Sequence, residues 1–312
     1  MPYDLKDRLV IGIASSALFD LRTSEAVFDE QGEQAYREFQ EQHLDEPLAA
    51  GAAFPFIRRL LSLNDLETGI EGPFVEVIVL SRNDPDTGLR VMRSVDHYEL
   101  PITRAIFMAG KSPYKFMRPL HMSLFLSARD RDVRDAVQRG LPAGRVLHSD
   151  FTDDPEDQDD LRIAFDFDGV LADDGSEQVF AQGDLAKFQE HEQRNIQTPH
   201  GQGPLSDFLA KINVLQRAEE KLRLSNPGYQ VRLHVSIVTA RNAPAHERAI
   251  NSLKEWGLTV NDAFFLGGIE KGPIIETLSP HIFFDDQLAH LKPAAGRVPS
   301  VHIPFGIRNV VR

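Results

Sequence analysis

The chain has 312 residues, 42% of them apolar, with 34 Lys and Arg against 47 Asp and Glu for a net charge of −13. That length allows two ordinary domains with a sizeable core, and the acidic balance argues against nucleic acid or an anionic membrane surface as a partner, while leaving local positive sites open to small anions. With no cysteine, disulfides and thiolate metal ligands are excluded, so any metal must be held by oxygen or imidazole.

In chain order, residues 1–8 lack the apolar core of a signal peptide and no later run approaches membrane-spanning length, so the expectation is a cytoplasmic protein. A β-branched run at residues 9–14 predicts a strand, followed by helical periodicity over 25–42 and 54–63. Residues 74–80, 105–109 and 124–126 predict further strands, and 88–97 a helix. From 149 to 160 the composition turns to Asp, Glu, Pro and Gln, which buries little and reads as an acidic linker. The apolar run Ile163-Ala164-Phe165 then opens a new strand. Strands alternating with helices imply an α/β chain with doubly wound parallel sheets. Residues 173–229 are too long for a simple crossover and are expected to supply a cap over the ligand edge.

Beyond the linker the first half is written again. Ser24-Glu25-Ala26-Val27-Phe28 returns as Ser176-Glu177-Gln178-Val179-Phe180, and Ile78-Val79-Leu80-Ser81-Arg82-Asn83 as Ile237-Val238-Thr239-Ala240-Arg241-Asn242. Phe107-Met108-Ala109-Gly110-Lys111 matches Phe265-Leu266-Gly267-Gly268 followed by Lys271, and Leu124-Phe125-Leu126-Ser127 matches Ile282-Phe283-Phe284-Asp285. Matches in one order predict an internal duplication into two α/β units, residues 1–148 and 161–312. The acids are confined to the second: Asp166 lies opposite Ala14, Asp168 opposite Ser16, and Asp285 opposite Ser127.

Open α/β sheets place ligands outside the carboxyl ends of their strands. Asp166 and Asp168, Thr239 with Ala240 and Arg241, Lys271, and Asp285 with Asp286 therefore make a candidate constellation. Alone, an Asp-x-Asp pair reads equally as a solvated acidic turn, Thr239 as a helix cap and Lys271 as a loop lysine. Together they form a hard-oxygen site suited to Mg²⁺, with a hydroxyl and an ammonium beside it for a phosphoryl group. Phe180, Phe188, His191, Arg194 and His200 are candidates to line a base pocket, although aromatic residues at helical spacing more often bury themselves.

Phe165-Asp166-Phe167-Asp168-Gly169-Val170, Val238-Thr239-Ala240-Arg241, Lys271-Gly272-Pro273 and Phe283-Phe284-Asp285-Asp286 resemble the four motifs of haloacid-dehalogenase-superfamily phosphatases. Gln202-Gly203-Pro204-Leu205, Lys254-Glu255-Trp256-Gly257-Leu258, Ser15-Ser16-Ala17-Leu18-Phe19-Asp20 and Gly110-Lys111-Ser112-Pro113 extend the resemblance to the cytosolic 5′-nucleotidase type I family over nearly the whole chain. The resemblance implies a degenerate first unit and a catalytic second unit with a cap. It implies Mg²⁺-dependent hydrolysis of nucleoside 5′-monophosphates, AMP favoured, through an aspartyl phosphate on Asp166 with Asp168 as acid and base. Asp166, Asp168, Asp285 and Asp286 would make the metal site, and Thr239, Ala240, Arg241 and Lys271 the phosphate site. A nucleotide effector such as ADP or GTP, supported by Ser81, Lys111 and Ser112 of the first unit, and a homo-oligomer stay open. A phosphatase for sugar phosphates and a non-enzymatic nucleotide-binding protein are the competing readings.

Overall fold

A computed structural model of the chain describes residues 3–151, 160–182 and 185–309, with the side chains of 180–186 outside that description. The chain divides into two compact units, one of residues 1–65 and 70–146, the other of 66–69 and 147–312. Most of the acidic stretch expected at 149–160 lies outside the described residues.

The first unit holds strands β1 (Leu9–Ile13), β2 (Val75–Ser81), β3 (Arg104–Phe107), β4 (Met122–Ser127) and β5 (Ala143–Val146), with helices α1 (Ser15–Leu18), α2 (Arg22–Gln42), α3 (Phe54–Ser62), α4 (Pro85–His97) and α5 (Asp130–Val137). Its strands lie in the order β3-β2-β1-β4-β5 and all pair in parallel. β1, β2 and β4 are buried along their whole length, whereas β3 is only half-buried. A parallel sheet covered on both faces needs apolar residues on both sides of each central strand, which is why these segments read as continuous runs rather than as alternation. Val10, Ile78 and Phe125 meet Tyr114 and Val133 in the core.

Two expectations need correction here. The helix expected over 25–42 is interrupted at Gly32, whose φ of 85° is open to glycine at little steric cost. The helix expected from 88 begins instead at Pro85, because the Asp84 side chain accepts from the Thr87 backbone N–H at 2.9 Å and Pro85 fills the first turn, where no backbone donor is needed.

The second unit holds β6 (Leu161–Phe165), β7 (Leu233–Thr239), β8 (Asp262–Phe265), β9 (Ile282–Asp285) and β10 (Ser300–His302). Its order is β10-β9-β6-β7-β8, again all parallel. The stretch expected as a cap contains α6 (Gly175–Gln182), α7 (Leu185–Arg194) and α8 (Ser206–Ser225), and the later helices are α9 (His246–Glu255), α10 (Lys271–Leu278) and α11 (Leu288–Leu291). Phe165 of β6 stacks on Phe284 of β9 with centroids 5.2 Å apart, and Phe208 of α8 packs against both. Each of these three fully buried rings contributes about 1.5–3 kcal/mol relative to exposure. That packing fixes the strand ends from which the acidic residues emerge.

Candidate active site

β6 ends at Phe165, and the next four residues make the turn that carries the first two carboxylates. Asp166 is buried, and its backbone N–H donates to the Phe284 carbonyl at 2.7 Å, tying the turn to β9. Phe167 points into the interior, stacked on Trp256 and edge-on to His200. Gly169 closes the turn at φ 72°, and a Cβ there would stand 2.7 Å from Asp286 Cγ. Glycine is thus required both by conformation and by the close approach of Asp286.

Lys271, the first residue of α10, sends a buried ammonium between two acids. Its Nζ lies 2.7 Å from Asp166 Oδ2 and 2.7 Å from Asp285 Oδ2. Burial alone would lower the lysine pKa, but Asp166 and then Asp285 more than offset it and hold the group cationic. Burial pushes Asp166 up to about 7 against the pull of Lys271. Asp285 stays below the ordinary carboxylate range despite burial, because Lys271 and then His290 stabilise its charge. It also accepts from the Gln287 backbone N–H at 2.7 Å.

Asp286 is different. It is fully buried, and neither carboxylate oxygen has a hydrogen-bond partner. Burial, then the neighbouring Asp166 and Glu177, push it up to about 10. A buried carboxylate without donors costs several kcal/mol unless a cation or a proton compensates it, so this position fits a hard metal ion. Among the described residues, Asp166, Asp285 and His290 also offer ligand atoms within 4.8 Å of one another. Asp285, however, is already saturated by Lys271, His290 and a backbone donor, which makes Asp286 the better-placed ligand.

Thr239, at the end of β7, is buried, and its Oγ1 accepts from the Arg241 backbone N–H at 3.3 Å. Ala240 between them is exposed. The Arg241 side chain departs from expectation. Rather than facing an open phosphate position, its guanidinium donates through Nε to Asp168 Oδ2 at 2.7 Å and through Nη2 to Asp168 Oδ1 at 2.6 Å, while Nη1 reaches Glu192. A fork bound to two carboxylates is spent.

An open cavity of about 390 Å³ lies beside these groups, with Asp168, Glu177, Phe188, Arg241, His290 and Arg308 on its wall. Of the base-pocket candidates, Phe188 is there. His200 is instead buried against Arg241 and Ser252, Arg194 pairs with Glu190 at the surface, and His191 stands 4.0 Å from Glu192. The Phe180 side chain lies outside the described residues.

Sequence reasoning missed Glu192, Arg248, Glu177 and His290. Arg241 and Arg248 reach Glu192, and Gln287 and Arg308 reach Glu177, from far along the chain, whereas His290 meets Asp285 only five residues away.

In the first unit, a smaller cavity at the strand ends is walled by Ser15, Ser16, Ser81, Arg82, Tyr114 and Asp132, among others. Ser81 is buried with its Oγ 3.2 Å from that of Ser15. Lys111 is exposed and Ser112 half-buried, and neither is on this wall. The two arginines on this wall are already paired: Arg82 with Asp132 at 2.8 Å, and Arg129 with Glu25 at 2.8 Å.

Human cytosolic 5′-nucleotidase 1B is 31% identical over 294 residues, covering 93% of this chain and 47% of that protein. The chain therefore spans about half the length of that relative. A solved histidinol dehydrogenase from Elizabethkingia anophelis aligns over 96% of this chain and 80% of its own at 8% identity, with a TM-score of 0.24. The family model described as 5′-nucleotidase matches residues 1–310, and with it the chain belongs to the 5′-nucleotidase family.

Proposed function

We propose that the chain is a cytoplasmic, Mg²⁺-dependent phosphomonoester hydrolase that converts nucleoside 5′-monophosphates, AMP foremost, to nucleoside and phosphate. The observation that carries this reading is Asp166, buried at a strand end, paired with Lys271, and one residue removed from an Asp168 that faces an open cavity. The family and the human relative support a nucleotide as the substrate class. In the same reading both units are haloacid-dehalogenase-like, and their identical strand order, with the first strand central and the second and third to one side, supports a duplication. The second unit does the chemistry, with α6 and α7 as its cap.

An Asp166 carboxylate oxygen attacks phosphorus, the bond to the 5′-oxygen breaks, and the leaving alkoxide takes a proton from Asp168. Asp168 then removes a proton from water, whose oxygen attacks the aspartyl phosphate and returns Asp166 as carboxylate. Lys271 and Thr239 steady the phosphoryl oxygens. Mg²⁺, held by Asp166, Asp286 and the Asp168 backbone carbonyl, would supply positive charge against the phosphate. Asp285 anchors Lys271.

Phosphate release from a panel of nucleoside monophosphates and sugar phosphates, with Mg²⁺ and with chelator, tests the reading. AMP is expected to have the highest kcat/KM. Preference for a sugar phosphate, or equal rates in chelator, would overturn it.

A further inference from the structure

Glu192 lies on α7, in the segment inserted between β6 and β7, and its side chain is completely buried. A buried carboxylate on a short polar helix demands compensation, and here three elements provide it. Ser176 of α6 donates to Oε1 at 2.9 Å, Arg248 of α9 donates to Oε1 at 2.8 Å, and Arg241 after β7 donates to Oε2. The His200 ring closes the cluster: its Nε2 lies 3.1 Å from Glu192 Oε2, 3.1 Å from Ser176 Oγ and 3.0 Å from Arg241 Nη2, and its Nδ1 lies 2.9 Å from Ser252 Oγ. Burial lowers the His200 pKa below the ordinary histidine value, against the pull of the Glu192 carboxylate.

The guanidinium of Arg241 is consequently held along both edges. One edge grips both oxygens of Asp168, and Nη1 is fixed by Glu192 and, at 3.3 Å, by the Ala245 carbonyl. Its faces are covered as well, by Phe167 at 5.2 Å and Phe188 at 5.5 Å. Phe188 sits one turn before Glu192 on the same helix and on the cavity wall. A planar donor fixed on so many sides imposes its plane on the carboxylate it binds bidentately.

We propose that Glu192 is a positioning residue for proton transfer, acting through Arg241 to set the orientation of the Asp168 carboxylate at the cavity. The proposal rests on the acid–base role of Asp168 given above. Glu192 touches no substrate, and its effect is confined to the step in which Asp168 moves a proton. The same helix presents Phe188 to the cavity, so seating of α7 and readiness of Asp168 are one event.

The test is the dependence of kcat/KM on the leaving group. This parameter reports only steps up to departure of the alcohol, and p-nitrophenolate leaves without protonation whereas a nucleoside 5′-alkoxide does not. Glu192→Gln keeps the volume and removes the charge. It is expected to lower kcat/KM for AMP about 10-fold or more, within the range of lost acid–base assistance, and to change that for p-nitrophenyl phosphate by less than about 3-fold. In an Asp168→Asn background the AMP loss should vanish, since residues acting through one group are not additive. Equal losses on both substrates, a loss that adds to Asp168→Asn, or no loss at all would overturn the proposal. If Glu192→Gln does not fold, Ser176→Ala removes one hydrogen bond to Glu192 while keeping every charge, and must show the same substrate contrast at smaller size. If the unsubstituted protein prefers another alkyl phosphate over AMP, the substrate reading fails, and the contrast is measured with that alkyl phosphate instead.

Discussion

Removing the buried ammonium at the centre of the site separates the electrostatic argument from simple packing. Lys271→Gln keeps most of the side-chain volume but leaves Asp166 Oδ2 and Asp285 Oδ2, each 2.7 Å from Nζ, without their cation. Breaking a buried ion pair by deleting one partner costs about 3–5 kcal/mol. The lower end applies here, because Asp166 already stands at about 7 and can take a proton in place of the lost charge. At about 2–4 °C per kcal/mol for a unit of this size, the melting temperature in chelator should fall by about 6–12 °C. Mg²⁺ should then stabilise the variant more than the unsubstituted protein, since the site has become more negative and a ligand that binds only the folded state stabilises it by mass action. Thermal unfolding of both proteins with EDTA and with Mg²⁺ is the assay. A fall of less than about 2 °C in chelator would refute the reasoning, as it would mean that the ammonium does little to offset the buried acids.

Three further outcomes follow from the same geometry. Asp166→Asn should abolish phosphate release, and because the amide nitrogen would oppose Lys271 Nζ it should also cost about 1–3 kcal/mol of stability; near-normal release from the folded variant would exclude Asp166 as nucleophile. Asp286→Asn replaces an unpartnered buried carboxylate with a neutral isostere, so it should melt higher than the unsubstituted protein in chelator and lose the stabilisation by Mg²⁺, both read from melting curves. Gly169→Ala puts a Cβ 2.7 Å from Asp286 Cγ and forces φ 72° on alanine, costing about 1–2 kcal/mol for the conformation alone; activity should fall with it, checked by melting and phosphate release together.

The parallel α/β architecture was legible because central strands of such sheets are continuous apolar runs, and the acids that follow them in sequence also follow them in space. Asp166 and Asp285 meet through Lys271 although 119 residues separate them along the chain, since β6 and β9 are neighbours in the sheet. Glu192 was not legible. On a helix of sequence LAKFQEHEQR, one glutamate among many polar residues looks solvated, and only the arrival of Arg241 and Arg248 from elsewhere in the chain buries it. Arg241 itself was visible as a residue near the phosphate motif, but sequence cannot say that its fork is taken by Asp168 and Glu192. Lys111 shows the opposite failure: aligned with Lys271 by pattern, it stands exposed, whereas Lys271 is held inside by two acids. The positions opposite those acids are Ala14 and Ser127, so nothing in the first unit draws a lysine inward.

Charge accounting gives the two strand-end cavities different chemistry. In the second unit, Asp166, Asp168, Asp285 and Asp286 face the cations Lys271 and Arg241, while Glu192 is matched by Arg248, and Glu177 lies 3.7 Å from Arg308. Four acids against two bases leave two carboxyl groups without a cationic partner in a buried setting; a proton on Asp286, whose pKa is pushed up to about 10, covers part of that deficit, and its orphaned oxygens show where a cation would replace it. A divalent cation matches that deficit, and with it in place a phosphate dianion no longer meets net repulsion. In the first unit Asp132 is matched by Arg82 and Glu25 by Arg129, so the corresponding cavity is balanced as it stands. It has no electrostatic reason to collect a metal. In the sequence pattern Ala14, Ser16 and Ser127 stand where the second unit has Asp166, Asp168 and Asp285, so the carboxylates that leave the second cavity short of positive charge have no counterparts in the first.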